Sequence, residues 1–290
     1  MVAGGVKPIR RVLTPKLRRA ALYHVLMASG SFVMLYPLVW MISSSVKPNG
    51  DIFTTATRLF PSVVTGEHYA TGWRGFAGYT FAVFFGNSLL IAALSMMGTV
   101  VSSAVVAFGF ARIRFPGRNV WFVVMITTML LPSQVMMIPR FVLFNRMGWV
   151  GTYLPMTVPA FFGGAFSIFL VMQFIRSIPR DMDEAAKIDG CSWYGIFLKI
   201  VAPMIVPALV TVGVLAFIGS WEDFMGALLY LNKPNRYTAA YALKLFNDNT
   251  KIDYGATFAM SVLSLAPILA VFFFFQKNLV EGISIQGLKG

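Results

Sequence analysis

Six apolar stretches, each close to the length of a bilayer-crossing helix, constrain this chain more than any other feature of its sequence. A transmembrane helix needs about 20 consecutive, mostly apolar residues. Six stretches meet that requirement: residues 20–42, 87–110, 120–143, 153–175, 204–229 and 256–275. Charged residues make up only 12% of the chain, against roughly 25% in soluble domains. We therefore predict an all-α fold, a polytopic membrane helix bundle with six transmembrane helices.

The distribution of basic residues predicts how this bundle is oriented. The chain carries 24 Lys and Arg against 11 Asp and Glu. With six spans, 15 of the 24 fall on the side that holds both termini, and the short connection 111–119 alone contains Arg112, Arg114 and Arg118. Because basic residues concentrate in cytoplasmic loops, both termini are predicted to be cytoplasmic. Such charge serves contact with the lipid bilayer, so we expect no nucleic-acid partner.

Residue types that carry catalysis or bind metals are scarce. The chain has one cysteine, Cys191, and two histidines, His24 and His68, without the company of other metal ligands. It contains no GxxxxGK[ST] phosphate loop and neither an HExxH nor a GxSxG motif. We therefore expect no enzyme activity, no catalytic residue, no metal and no cofactor in this chain.

The segment between the fourth and fifth predicted spans, residues 178–203, is predicted to fold on the cytoplasmic face. Acidic residues stabilise the positive end of a helix, and three of them begin one here: Asp181, Asp183 and Glu184. Gly190 is placed to end that helix in a left-handed cap, and Ser192 is placed to cap a second short helix. The pair Ala185-Ala186 would give the first helix a smooth surface that another protein can approach closely.

This segment resembles the EAA loop of ATP-binding-cassette (ABC) importer permeases. The family pattern reads EAA-x3-G-x9-I-x-L-P. The chain has Glu184-Ala185-Ala186, then Gly190, Ile200 and Pro203 at the same spacing, with Ala202 in place of the usual leucine. The resemblance implies that these residues couple the permease to a separate ATPase.

Other stretches are similar to the carbohydrate-type permeases of that family, and most similar to the six-span subunit of maltose-type systems. These stretches are the basic turn 111–118, residues 131–139, Ile188-Asp189-Gly190, Trp221-Glu222-Asp223-Phe224 and the glycine-containing end 282–290. Glu222 stands where asparagine is commoner. The resemblance implies a type I ABC importer transmembrane fold in the cytoplasmic membrane of a prokaryote. It also implies a second permease subunit, two ATPase subunits that bind ATP and Mg²⁺, and an extracytoplasmic solute-binding protein.

Glu222 and Asp223 are the only acids inside any predicted span. A charge at the centre of a membrane costs about 2.5–3.5 kcal/mol on insertion scales, so such residues are functional candidates. We expect Trp221, Glu222 and Asp223 to line the translocation path. The alternative is that the acids lie near the outer rim in contact with water. Arg140 is predicted near the same level, with snorkelling to the interface as the favoured interpretation.

These features predict four parts. Residues 1–19 form a basic cytoplasmic tail, 20–80 the first span with an extracytoplasmic loop, 81–276 the permease core with its EAA loop at 178–203, and 277–290 a cytoplasmic C-terminal tail. The predicted function is ATP-driven import of a sugar or oligosaccharide by alternating access. An importer of another small solute, such as a glycerophosphodiester or a polyamine, is an alternative. A stand-alone secondary carrier is a further alternative, but it would leave the EAA loop unexplained.

Overall fold

The structure, a computed structural model, describes residues 15–248 and 253–284, and these residues form helices without any strand. The predicted tails 1–19 and 277–290 lie partly outside them. The first half contains α1 (Pro15–Ser44), α2 (Asp51–Thr54), α3 (Glu67–Arg74), α4 (Phe81–Arg112), α5 (Arg118–Thr128), α6 (Ser133–Arg146), α7 (Leu154–Thr157) and α8 (Ala165–Ser177). The second half contains α9 (Asp181–Ile188), α10 (Trp193–Ile196), α11 (Ala202–Met204), α12 (Val206–Trp221), α13 (Phe224–Tyr230), α14 (Ala239–Asp248) and α15 (Tyr254–Ser284). Shorter 3-10 helices at Val158–Phe162 and Pro234–Arg236, and a π-helix at Phe197–Val201, join some of these elements.

Four helical segments of the described chain are long and apolar enough to cross a membrane. They are Arg19–Ser44, Phe81–Arg112, Leu154–Ser177 and Tyr254–Leu279. Each contains, or nearly contains, one of the predicted stretches. The number of spans rises to six only if each of two sharply bent helix pairs crosses the membrane as one unit.

The first bent pair lies where the sequence predicts a span over 120–143. Helix α5 ends at Thr128, α6 begins at Ser133, and the two axes differ by 101°. Pro132 explains the position of the break, because proline has no backbone N–H and disfavours helical geometry at the residue before it. With 11 and 14 residues, the two helices are about 16 Å and 21 Å long, so neither alone spans a core of about 30 Å.

The stretch predicted over 204–229 is also interrupted. Helix α12 ends at Trp221, and α13 begins at Phe224 after a two-residue break. The Asp223 side chain caps α13, since its Oδ1 accepts a hydrogen bond from Gly226 N at 2.8 Å. At the other end of α12, the 193–204 segment meets it at 75°. The two acids predicted inside a span therefore lie at a break between helices.

Helix α4 runs through the centre of the bundle and packs against α8, α12 and the 154–162 segment. Its buried positions are mostly small, and small residues allow close helix packing in a membrane. At Gly98, an added Cβ would lie 2.7 Å from the ring of Phe161, which is closer than real Cβ atoms approach. Glycine is therefore required there by the approach of the neighbouring segment.

Serines of α4 donate to carbonyl groups of the irregular 154–162 segment. Ser95 Oγ donates to the carbonyl of Met156, and Ser102 Oγ to that of Ala160, each at 3.0 Å. Pro159 removes a backbone donor from this segment. Because unpaired backbone groups are costly where water is absent, these hydroxyls stabilise a broken helix inside the bundle.

The residues 43–80 form a small folded cap rather than an open loop. The Lys47 side chain is almost fully buried, and its Nζ donates to the carbonyls of Thr55 at 3.1 Å and Arg58 at 2.6 Å. The His68 ring hydrogen-bonds the Lys47 carbonyl at 2.7 Å. Helix α3 packs on α15, and Asn49 Nδ2 donates to Asp253 Oδ1 at 3.0 Å. This cap marks one end of the bundle, which we call the α3 end; the opposite end carries α9 and is called the α9 end.

Candidate functional site

The turn after α9 has the geometry that the sequence predicts around Gly190. Its φ is +81°, in the left-handed region that favours glycine. Gly190 N donates to the Lys187 carbonyl at 3.0 Å, and Cys191 N donates to the Ala186 carbonyl at 2.9 Å. These two bonds define a Schellman motif, which ends α9 and reverses the chain.

The second short helix begins where the sequence predicts it. Ser192 is its N-cap, and the Ser192 hydroxyl accepts a hydrogen bond from Gly195 N at 3.2 Å. The ammonium group of Lys187 lies 3.7 Å from the centre of the Trp193 ring, which is a cation–π contact between α9 and α10. The two helices are thus joined by side chains as well as by the turn.

A buried ion pair fastens α9 to the end of α4. Arg112 Nε lies 2.8 Å from Asp183 Oδ2, and the two side chains are 2% and 7% exposed. The same guanidinium donates to the carbonyl of Ile178 at 2.8 Å. From the other direction, Arg180 Nη2 donates to the carbonyl of Ala111 at 3.4 Å. The end of α4 and the segment that leads into α9 therefore each donate a hydrogen bond to the backbone of the other.

The predicted coupling residues divide between an inward and an outward face. Ala186 is 7% exposed and belongs to the apolar core at the α9 end, so it does not share the surface that we expected both alanines to form. Ile200 is half-buried against the same core. The remaining candidates are exposed: Glu184, Ala185, Asp189, Gly190 and Pro203.

A second candidate site is a cavity of about 570 Å³ between α6 and the α12–α13 break. Its polar lining comes from both elements: Ser133, Gln134, Arg140, Asp223 and Tyr230. The ring of Tyr230 is stacked on Phe141 with 6.3 Å between centroids, which fixes α13 against α6. The cavity therefore offers hydroxyl, amide, cationic and carboxylate groups from two broken spans.

The structure separates the three residues predicted to line the translocation path. Asp223 lines the cavity, whereas Glu222 is exposed and is not part of its lining. Trp221 is 4% exposed and packs against Phe217 and Phe85, and its Nε1 donates to the carbonyl of Ser264 at 3.1 Å. In this structure, Trp221 is a packing residue.

Comparisons with known proteins agree with this architecture. The family described as "Binding-protein-dependent transport system inner membrane component" matches residues 100–285, well over half of the chain. This protein belongs to that family. It is an integral membrane permease, and the family is one of transport subunits rather than enzymes.

Two relatives and one solved structure illustrate the similarity. The permease is 34% identical to the probable ABC transporter permease protein YurM of Bacillus subtilis, over 88% of this chain and 84% of YurM. It is 29% identical to the arabinooligosaccharides transport system permease protein AraQ of the same species, over 90% and 92% of the two chains. A crystal structure of a bacterial ABC transporter that imports alginate matches with a TM-score of 0.77 at 21% identity, covering 89% and 95%. This last match supports the fold of the permease.

The sequence did not identify several residues that the structure places at these sites. The sequence identifies Arg112 only as part of a basic connection and Asp183 only as an acid at a helix start, and it does not predict that they pair. Gln134 appeared only within a family-like stretch. The signal for Arg112 is that it lies at the last position of a long apolar helix, where a buried charge needs a partner.

Proposed function

We propose that this permease is a transmembrane subunit of an ATP-driven ABC importer that moves a sugar or oligosaccharide across the cytoplasmic membrane by alternating access. The observation that carries the proposal is the α9–Gly190–α10 unit. It is bound to α4 through the buried Arg112–Asp183 pair, and it presents Glu184 and Ala185 outward. An ATPase subunit docking on that outward face would move α9 and α4 together.

The packing of α4 supplies the route from the docking face to the rest of the bundle. Helix α4 contacts α8, α12 and the 154–162 segment, and Pro155, Met156 and Pro159 of that segment line the cavity. A displacement of α9 would therefore change the packing of helices around the cavity that Asp223 and Arg140 line. No covalent chemistry in this chain is needed, because ATP and Mg²⁺ would be bound by the ATPase subunits.

The assembly we propose contains a second permease subunit, two ATPase subunits and an extracytoplasmic solute-binding protein. Helix α1 supports the second permease: its span Arg19–Ser44 buries none of its apolar window within this chain. The description of the family, which names dependence on a binding protein, supports the solute-binding partner. Both termini and α9 would face the cytoplasm, because the basic residues concentrate on that side.

The lining of the cavity favours a neutral polyhydroxy solute. It contains one cation, Arg140, one acid, Asp223, and the uncharged donors and acceptors of Ser133, Gln134 and Tyr230. A site for a polyamine, which is a cation, is expected to be lined by acidic side chains without basic ones. A site for a glycerophosphodiester, which is an anion, is expected to be lined by basic side chains without acidic ones. The printed function of the relative AraQ, transport of arabinooligosaccharides, points to the same class of solute.

Reconstitution of the whole assembly tests the proposal. This chain would be co-purified with a second permease subunit, an ATPase and a solute-binding protein, all encoded by neighbouring genes. The assembly would then be inserted into liposomes and assayed for uptake of labelled oligosaccharides, a polyamine and a glycerophosphodiester. We expect ATP-dependent uptake of an oligosaccharide only when the binding protein is present. Uptake by the permease alone without ATP would instead support a secondary carrier. If only the polyamine or only the phosphodiester were taken up in an ATP-dependent way, the protein would still be an ATP-driven importer, but its solute would not be a sugar.

A further inference from the structure

Four arginines converge on a second cavity, and of these only Arg112 has a part in the proposed transport mechanism, through its pair with Asp183. The cavity has a volume of about 390 Å³ and lies at the α9 end. Its arginines come from two separate parts of the chain: Arg112 and Arg118 flank the α4–α5 turn, and Arg176 and Arg180 flank the end of α8. We call this space the arginine pocket.

Most of the positive charge in the arginine pocket has no partner within the described chain. Arg112 is neutralised by Asp183, but Arg118, Arg176 and Arg180 form no ion pair with any acid of the described residues. No acidic side chain is among the described residues that line the pocket. Three like charges around one space repel one another, so an anion placed between them would be favourable.

Arg176 is held beside the pocket by an aromatic ring. Its guanidinium carbon lies 5.6 Å from the centre of the Phe122 ring of α5. This cation–π contact restricts the side chain without neutralising its charge. Topology alone requires basic residues on one side of the membrane, and it does not require them to meet in one cavity.

The position of the pocket identifies the kind of anion. The pocket lies where the apolar helices α4 and α8 end. A helix that crosses a membrane ends near the boundary between lipid and water, so we place the pocket at that level. Directly beside Arg118, helix α5 exposes apolar side chains, with Val120 66% and Trp121 61% exposed. The surface therefore joins a cationic pocket to an apolar strip, and a ligand that matches both is an amphiphile with an anionic head.

We infer that the arginine pocket binds the headgroup of an anionic phospholipid. The phosphodiester oxygens would accept hydrogen bonds from Arg118, Arg176 and Arg180, since the planar guanidinium donates two parallel N–H groups to phosphate. The acyl chains would lie along the exposed face of α5. Basic pockets between helices at a membrane surface are suited to such headgroups. The site requires neither the solute nor the ATPase, so it is independent of the proposed function.

Native mass spectrometry of the purified full chain tests this inference by titration with dioleoyl phosphatidylglycerol and dioleoyl phosphatidylcholine. The wild type is expected to bind phosphatidylglycerol more tightly. The double variant Arg118→Gln/Arg176→Gln should bind it about 30-fold more weakly, or about 5-fold per charge removed. Phosphatidylcholine binding should change less than twofold.

The matched control is Arg58→Gln/Arg74→Gln, which removes two exposed arginines at the α3 end and should leave phosphatidylglycerol affinity unchanged. Equal affinity of wild type and the Arg118/Arg176 variant would overturn the inference. So would competition by inorganic phosphate at concentrations equal to those of the lipid, because the site would then recognise the anion without the lipid. If the double variant aggregates, the exposed Arg176→Gln alone, with an expected fivefold loss, decides the question.

Discussion

At the scale of single residues, Gly190 is required by its backbone conformation alone. Its φ of +81° is strained for any residue with a Cβ, but beyond its adjacent residues no heavy atom lies within 4 Å of the place where that Cβ would be. Replacement should therefore cost about 1–3 kcal/mol of local strain and leave the core intact. We predict that Gly190→Val inserts and folds but loses co-purification with the ATPase and solute-stimulated ATP turnover, with Gly190→Ala milder. As a control, Cys191→Ser should leave both co-purification with the ATPase and ATP turnover nearly unchanged. Normal transport by Gly190→Val would show that this turn does not couple the subunits.

Asp183 contributes to stability through its buried ion pair with Arg112, and this contribution can be measured. Removing one partner of a buried ion pair typically costs about 3–5 kcal/mol, because the other charge stays buried without compensation. We predict that Asp183→Ala lowers the thermal unfolding midpoint of the purified chain, whereas the exposed Asp181→Ala costs no more than about 1 kcal/mol. Combining Asp183→Ala with Arg112→Met should recover part of the loss. Equal midpoints for the two single variants would contradict the anchoring role of Asp183.

At the scale of elements, the break between α12 and α13 places the N-terminal end of α13 at the wall of a cavity. Asp223 both caps α13 and contributes a carboxylate to the cavity. Asparagine caps helices about as well as aspartate, so Asp223→Asn separates these two roles. We predict unchanged stability and about tenfold slower uptake at low solute concentration, which corresponds to the loss of one hydrogen bond to a charged group. The control is Glu222→Gln, which lies outside the cavity lining. Similar losses in both variants would instead favour the expectation that both acids line the path.

At the scale of the whole molecule, the orientation in the membrane is the main prediction. We expect six spans with both termini and α9 inside, since the basic residues favour that arrangement. In a Cys191→Ser background, Arg58→Cys should react with a membrane-impermeant maleimide in intact cells. Ala185→Cys should react only after the cells are made permeable. The reverse labelling pattern would show that the orientation is inverted. Labelling of both sites from outside would mean that the α5–α6 pair does not cross the membrane.

The sequence by itself determined the features that depend on near neighbours. The apolar stretches 20–42, 87–110 and 256–275 lie within long helices, because length and composition are enough to define them. Gly190 ends α9 and Ser192 begins α10 as predicted, since a cap depends only on residues three to five positions away. Pro132 and Pro139 within the stretch 120–143 indicate a bend, but not that α5 and α6 differ by 101°.

Tertiary structure alone decided which of these residues meet. Arg112 and Asp183 come from segments far apart in the sequence, and only the packing of α8 against α4 brings them within 2.8 Å. In the same region Ala186 is turned inward while Ala185 stays outward. The packing of α12 against α4 and α15 places Trp221 in the core, whereas Asp223 faces a cavity lined by α6 and α13. The physical reason is that helical periodicity defines the faces of an element, whereas burial, ion pairing and cavity lining depend on which element lies opposite each face.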